Sequence, residues 1–474
     1  MLENDTIAAI ATPSGEGGLG IVRLSGPGTF DVLPKIFVPA TPVSWPSVAG
    51  HTLHHGRIVR RTDDGPPSPF DDVVVGVFRA PRSYTGEDVA EITCHGGTLI
   101  IQSVLDLCLK SGARLAEPGE FTKRSFLNGK LDLVQAEAVA DLIAARSESF
   151  RKTAFDQLQG RLSKTLQELR RELLDILAHL EANLDFVEDD IPALEKEPAR
   201  IRICALEERA NALLESYREG KILREGIRVT LTGRPNVGKS SLFNALLQED
   251  RAIVSDVPGT TRDRLEESLI VQGVSVVLHD TAGLRSMTDG SSSGVETEGI
   301  RRARQSLERA DVVLFVIDSS SEWTREDSDI LEMIRGKNTV WVLNKSDRPP
   351  RFKPDDIIAL AGKGVPSIPA SAVTGDGVPV LKQAILKSLP ALSQGLRSME
   401  KETPPSITNR RHAGLIETAR DSLRSAAAAI GRGEADECVA SDLRKALEAL
   451  SELTGDKVVE DVLKTIFSRF CVGK

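Results

Sequence analysis

The sequence predicts a multidomain chain with an α+β N-terminal domain, a discontinuous α-helical domain and an α/β domain inserted between the two helical halves. Three observations lead there. Short apolar runs broken by Gly and Pro fill the first 121 residues, a leucine period of three and four follows them, and the strand "EGIRVTLTG" then runs straight into a glycine loop and a helix. With 474 residues, 40% of them hydrophobic, the chain is too long for one ordinary core.

Taken in order, residues 1–121 contain "GLGIVRLSG" and "FDDVVVGVFRAP", strand-like runs separated by turn residues. Over 122–226 the texture becomes helical, and Leu162, Leu166, Leu169, Leu173, Leu177, Leu180 and Leu184 make one apolar stripe. Such a stripe reads as bundle core, since a buried helix needs one face of this kind. Residues 227–388 alternate strand and helix, with apolar strands at "VSVVLHD", "DVVLFVID", "TVWVLNK" and "PSIPAS", the pattern of a parallel sheet. Residues 389–474 return to helical texture and end in "FSRFCVGK", where Ile466, Phe467 and Phe470 predict a docked C-terminal helix.

Composition narrows the functional classes. A net charge of −9 argues against a protein coated in basic surface but leaves room for a local basic patch that meets RNA. Five cysteines, Cys94, Cys108, Cys204, Cys438 and Cys471, form no CxxC pair, so neither a disulfide framework nor a structural zinc site is expected. The N-terminus lacks a leader pattern and no apolar run approaches ~18 residues, so a cytoplasmic protein is expected.

"GRPNVGKSS" fits G-x-x-x-x-G-K-[ST] through Gly233, Gly238, Lys239 and Ser240, between a strand and a helix. In such a loop the glycines let backbone N–H groups of Asn236, Val237 and Gly238 and the helix start at Ser240 and Ser241 surround phosphates. Lys239 neutralises the β- and γ-oxygens, which makes it a catalytic candidate, and the Ser240 hydroxyl suits Mg²⁺. "DTAG" (Asp280, Thr281, Ala282, Gly283) ends the next clear strand, and "GTTRD" before it offers Thr260 and Thr261 to close over the nucleotide, Thr261 as the second Mg²⁺ residue. In "NKSD" the Asp347 carboxylate can accept two hydrogen bonds from guanine where adenine offers neither donor, with Asn344 and Lys345 framing the ring and Ser371 and Ala372 following. Four motifs in this order point to GTP. The position after Gly283 is Leu284, which can neither orient water nor stabilise charge, so hydrolysis must find another device.

The stretches "NDTIAAIATPSGEGGLGIVRLSG", "RSYTGEDVAEITCHGG", "EPGEFTKRSFLNGKLDLVQAEAVADLI", "GRPNVGKSSLFNALL", "GTTRD", "DTAGLR" and "IFSRFCVGK" together resemble the bacterial tRNA modification GTPases of the MnmE (TrmE) family, over essentially the whole chain. The resemblance implies a tetrahydrofolate-binding-like N-terminal domain that also dimerises and a Ras-like P-loop GTPase domain. It also implies a potassium ion in place of an arginine finger, held by Asn236, Ser255, the Val257 carbonyl and Thr260, with Ser255 also near the nucleotide. A second-switch glutamate would orient water; Glu296 matches it, with Glu298 as competitor.

By the same resemblance, Arg23, Glu91, Lys130 and Lys474 match folate-contacting positions, and Cys471 is either a nucleophile or a small packed residue. The family acts as a homodimer with the FAD-containing flavoprotein MnmG in a heterotetramer-type complex. Together they place a 5-carboxymethylaminomethyl or aminomethyl group on the wobble uridine of certain tRNAs, using 5-formyl- or 5,10-methylene-tetrahydrofolate. The rival expectation is an Era-like ribosome-assembly or scaffold GTPase with RNA-binding flanking domains. The acidic balance and the lack of an RNA-binding motif weigh against it.

Overall fold

A computed structural model of the chain describes residues 5–60, 66–185, 195–248, 266–280, 305–352, 356–357, 360, 365–389 and 405–474. It divides into two compact units, Met1–Ala140 with Gln157–Ile176 and Leu447–Lys474, and Asp141–Asp156 with Leu177–Ala446.

The first unit is built on β1 (Ile7–Ile10), β2 (Gly17–Ser25), α1 (Thr29–Ile36), β3 (Phe37–Pro39), β4 (Thr52–Arg60), β5 (Ser68–Phe78), β6 (Val89–Gly96), α2 (Thr98–Lys110) and β7 (Arg114–Leu115). These seven strands form one sheet in the order β3-β4-β5-β6-β2-β1-β7, antiparallel except for the β1–β7 pair. Side chains alternate across a strand. Val22 and Leu24 of β2 and Ala90, Ile92 and Cys94 of β6 therefore point into the core with Ile101 and Val104 of α2. Arg23 and Glu91 fall on the opposite face, and the antiparallel register sets them directly across from one another.

The chain continues through α3 (Glu120–Leu127), α4 (Leu133–Ala144), α5 (Glu148–Leu158) and α6 (Arg161–Asp185). On α6 the leucine stripe is core, with Leu162, Leu166, Leu169, Leu173, Leu177 and Leu180 all buried. Arg124 of α3 is 3% exposed and gathers carboxylates. It donates to Asp5 Oδ1 at 2.6 Å, Glu120 Oε1 at 3.0 Å and Glu87 Oε2 at 3.2 Å, tying the loop that carries Tyr84 to the helix. Arg114 adds bonds to Asp5 and Glu120. Burial alone would raise the carboxyls of Asp5 and Glu120, yet hydrogen bonds from Arg114 and Arg124 outweigh it and hold both below their ordinary values of 3.8 and 4.5.

Depressed carboxyl values give stability that is present above the unfolded-state pKa values and lost as pH falls through the folded ones. Arg124→Ala is therefore expected to cost about 3–5 kcal/mol near pH 7, since it strands clustered carboxylates. The penalty should shrink below about pH 4. Urea unfolding of both proteins across pH checks this; a penalty independent of pH would refute the network's role.

The second unit contains α7 (Lys196–Glu225), β8 (Ile227–Thr232), α8 (Lys239–Leu247), β9 (Glu266–Val271), β10 (Val274–Asp280), β11 (Val312–Asp318), α9 (Arg325–Met333), β12 (Thr339–Asn344), β13 (Ser367–Pro369), α10 (Val378–Lys387) and α11 (Arg410–Gly431). The chain closes with α12 (Asp436–Thr454) and α13 (Glu460–Phe467). The α7 and α11 helices pack along one another. Gly220 lets the Ile407 carbonyl approach so closely that a Cβ would collide with it, and Ile407 N–H donates to Ser216 Oγ at 3.1 Å.

The six-stranded sheet runs β13-β12-β11-β8-β10-β9, parallel except for the edge strand β9. Both faces are covered, as a parallel sheet requires. Val312, Leu314 and Val316 of β11 pack toward α8 and α10, whereas Val313, Phe315 and Ile317 pack against Trp341 and the α9 side. The expected strands are all present. The β9 strand was not foreseen, because "EESLIV" is a short, polar-led edge strand; it joins β10 through Gln272 and Gly273, both at positive φ (49° and 79°), a two-residue hairpin turn. Among the described residues no helix is long and apolar enough to cross a membrane.

In the first unit, Leu463, Ile466, Phe467 and Phe470 pack α13 and the residue run after it against Leu133 and Ala136 of α4. This is the hydrophobic docking expected for the C-terminal end.

Candidate functional site

The parallel strands β8, β10, β11, β12 and β13 all point their C-terminal ends to one edge of the sheet. β8 has β10 on one side and β11 on the other, so the strand order switches at it, and open α/β sheets bind ligands outside the carboxyl end of a strand at such a switch point. Thr232, Asp280, Asp318, Asn344 and Pro369 end the five strands there.

After β8 the P-loop needs its glycines. Gly233 has φ 152° and a Cβ on it would run into the Val316 carbonyl; Gly238 has φ 94° and a Cβ would run into the Asn344 amide. Asn236 is in the left-handed region at φ 64°, a conformation asparagine tolerates better than most residues. Lys239 Nζ donates to the carbonyls of Gly233 and Arg234, both at 2.8 Å, so its ammonium is held by the loop it closes. Ser240 and Ser241 are exposed in the first turn of α8, whose amino end favours anions.

The "NKSD" segment meets this loop through side-chain hydrogen bonds, one of them buried. Asn344, 1% exposed, donates from Nδ2 to the Val237 carbonyl at 2.8 Å and accepts at Oδ1 from Ala372 N–H at 3.2 Å. Lys345 Nζ donates to the Asn236 carbonyl at 2.9 Å and to Asp318 Oδ2 at 2.6 Å. Ser371 Oγ donates to Asp347 Oδ1 at 2.6 Å, and this bond holds the Asp347 carboxyl below the usual carboxylate range. The structure thus gathers Asn236, Val237, Gly238, Lys239, Asn344, Lys345, Asp347, Ser371 and Ala372 at one sheet edge. Asp280 ends β10 at the same edge. Ser255, Val257, Thr260, Thr261, Thr281, Ala282, Gly283, Leu284, Glu296 and Glu298 lie outside the described residues.

Asp318 escaped the sequence reading. A signal existed, since an aspartate closes the otherwise apolar "VVLFVID" just as Asp280 closes "VSVVLHD".

In the first unit a second group of polar side chains converges. Arg23 donates from Nε to Glu91 Oε1 at 2.9 Å and from Nη1 to the Gly473 carbonyl at 3.2 Å. Its guanidinium carbon lies 5.6 Å from the ring centroids of both Tyr84 and Phe121. Tyr84 is fixed by a 2.8 Å hydrogen bond with the Thr122 hydroxyl. Lys474 is half-buried; burial, then the neighbouring Arg23 charge, pushes its ammonium below the ordinary pKa, with Glu91 and Cys471 opposing.

Glycine is required at 473, where φ is 96° and a Cβ would run into the Ile10 carbonyl. This explains the Cys-x-Gly-Lys spacing: the glycine turns the chain against the end of β1 so that Lys474 returns toward Arg23. Gly119 N–H donates to the Cys471 carbonyl at 3.4 Å, while the Cys471 thiol itself is exposed, so it is not a packed core residue. Lys130 is exposed and donates from Nζ to the Pro81 carbonyl at 3.1 Å, at the start of the loop that carries Tyr84. Of the four folate candidates, Arg23, Glu91 and Lys474 form one cluster and Lys130 braces its loop. Tyr84, Phe121 and the Gly473 carbonyl are additions that only the folded chain reveals. Among the described residues no cluster of His, Cys, Asp and Glu could hold a metal ion.

Comparison with known proteins covers nearly the whole chain with two family matches. Residues 133–471 match the family described as the MnmE helical domain, and residues 6–130 match the GTP-binding protein TrmE N-terminus. The chain is 44% identical over 470 residues to the tRNA modification GTPase MnmE of Carboxydothermus hydrogenoformans, covering 99% of each chain. It is 42% identical over 471 residues to that of Bacillus subtilis, covering 99% of this chain and 100% of that one. For Geobacillus kaustophilus the identity is 43% over 475 residues, with both chains fully covered.

Proposed function

The chain belongs to the tRNA modification GTPase MnmE family, and from that premise we propose that it couples potassium-dependent GTP hydrolysis to folate-dependent modification of a tRNA wobble uridine. The chain is a GTP hydrolase acting in tRNA modification, and tRNA is its substrate. The carrying observation is the joined base and phosphate apparatus, in which Asn344 binds the Val237 carbonyl of the P-loop and Ser371 aims the Asp347 carboxylate.

In this reading backbone N–H groups of the P-loop and the amino end of α8 bind the phosphates, Lys239 neutralises their oxygens, and Asp347 selects guanine. Ser240 and Thr261 would hold Mg²⁺, and Asn236, Ser255, the Val257 carbonyl and Thr260 would hold potassium. The exposed Asn236 side chain, on a backbone pinned in the left-handed region, fits a ligand of that kind. A bound cation there supplies positive charge to the oxygens that gain negative charge in the transition state. Glu296, or Glu298, would orient water, which leaves Leu284 no catalytic duty.

The Arg23 cluster suits a folate. Glu91 would accept from the N–H donors of the pterin beside the rings of Tyr84 and Phe121, with Arg23, paired to it, and Lys474 supplying positive charge and Lys130 at the rim. Cys471 is available as a nucleophile. A folate supplies the one-carbon unit, and these residues bind and orient it. The proposed domain assignment follows: 1–121 for folate and dimerisation, 227–388 for GTP, and 122–226 with 389–474 as the helical scaffold. We further propose a cytoplasmic homodimer that acts with MnmG, which carries FAD.

GTP hydrolysis is expected to be roughly tenfold or more faster in KCl than in NaCl at equal ionic strength. Phosphate release measured in the two salts decides it. Equal rates would remove potassium from the mechanism and leave Leu284 unexplained.

A further inference from the structure

Asp318 closes β11 with a carboxylate whose side chain is 13% exposed. Ser320 holds one of its oxygens, donating to Oδ1 from N–H at 3.0 Å and from Oγ at 2.6 Å. The other oxygen is given to Lys345, whose ammonium also binds the Asn236 carbonyl. We propose that Asp318 is a positioning residue for nucleotide binding: it holds the Lys345 ammonium against the Asn236 carbonyl, locking the guanine motif to the P-loop. The inference rests on the reading of this site as a GTP site.

The backbone explains why a lock is needed. Asn236 and Lys345 are both non-glycine residues in the left-handed region, at φ 64° and 62°. Each conformation is disfavoured and persists only where surrounding contacts over-determine it. The Lys345–Asn236 bond ties the two strained residues together, and Asp318 decides where that ammonium sits. The serine bonds in turn fix Asp318, and the Ser319 N–H, donating to the Asn344 carbonyl at 2.9 Å, fastens the same turn to β12. A charged bond between Asp318 and Lys345 favours a single ammonium position; a neutral side chain there leaves the lysine free to turn to solvent.

Asp318→Asn keeps the shape and removes the charge. It is expected to speed dissociation of a fluorescent GDP analogue about tenfold, the weight of one charge-assisted hydrogen bond. A role in fold stability alone would not act through Lys345, so the decisive measurement is a double-variant cycle. In a Lys345→Ala background, Asp318→Asn should change the dissociation rate by less than about twofold. An unchanged rate in Asp318→Asn, or effects that multiply independently in the double variant, would overturn the positioning role. Failure of the wild-type chain to bind the GDP analogue would instead overturn the GTP reading beneath it.

Discussion

Asp347→Asn is expected to lower kcat/KM for GTP by roughly 10³ and to transfer preference to xanthosine triphosphate. Guanine presents two donors, N1–H and the C2 amine, to a carboxylate that offers two acceptors. An asparagine offers one acceptor and one N–H₂ donor, so a donor meets a donor and one buried partner goes unpaired. Xanthine carries an oxygen at C2, and its donor–acceptor pair matches the asparagine. The loop should survive the change, because Ser371 Oγ can still donate to the amide oxygen as it does to Asp347 Oδ1 at 2.6 Å. Steady-state hydrolysis of both nucleotides in KCl is the measurement. A variant that keeps the wild-type preference would show that Asp347 does not read the base.

Deletion of residues 471–474 is expected to reduce tRNA modification to background while leaving potassium-stimulated GTP hydrolysis within about twofold of wild type. Arg23 would lose its bond to the Gly473 carbonyl, and the charge of Lys474 would leave the cluster. The proposed folate site would then lack one wall and one cation. The hydrophobic anchor stays, because Leu463, Ile466, Phe467 and Phe470 all precede the cut. The P-loop sheet has a core of its own, through Val229, Leu231, Leu242, Leu314 and Val342. Nucleoside analysis of the modified tRNA and phosphate release from the same preparation separate the two activities. Full modification by the truncated protein would overturn a functional C-terminus, and loss of both activities would mean that the tail acts through stability.

Legibility in the sequence followed the range of the interactions. The P-loop could be read because its turn is encoded locally: Gly233 and Gly238 sit at φ 152° and 94°, a backbone region that side-chain-bearing residues rarely adopt, so the glycines at that spacing announce it. The buried strands were legible from unbroken apolar runs such as Val312–Asp318, and the α6 stripe from its period. The β9 strand was not, since one edge strand with a polar start carries little periodic signal.

The sequence by itself determined the three-part fold class, the parallel P-loop sheet and the motifs for GTP, all of which rest on contacts a few residues apart or on strand and helix periods. Only the tertiary structure decided that Arg23 faces Glu91 across 68 residues and the Gly473 carbonyl across 450, and that Lys345 donates to Asp318. Such pairs leave no periodic trace, because nothing but the folding of the intervening chain brings them together, and their partners are single side chains with no run of neighbours to announce them.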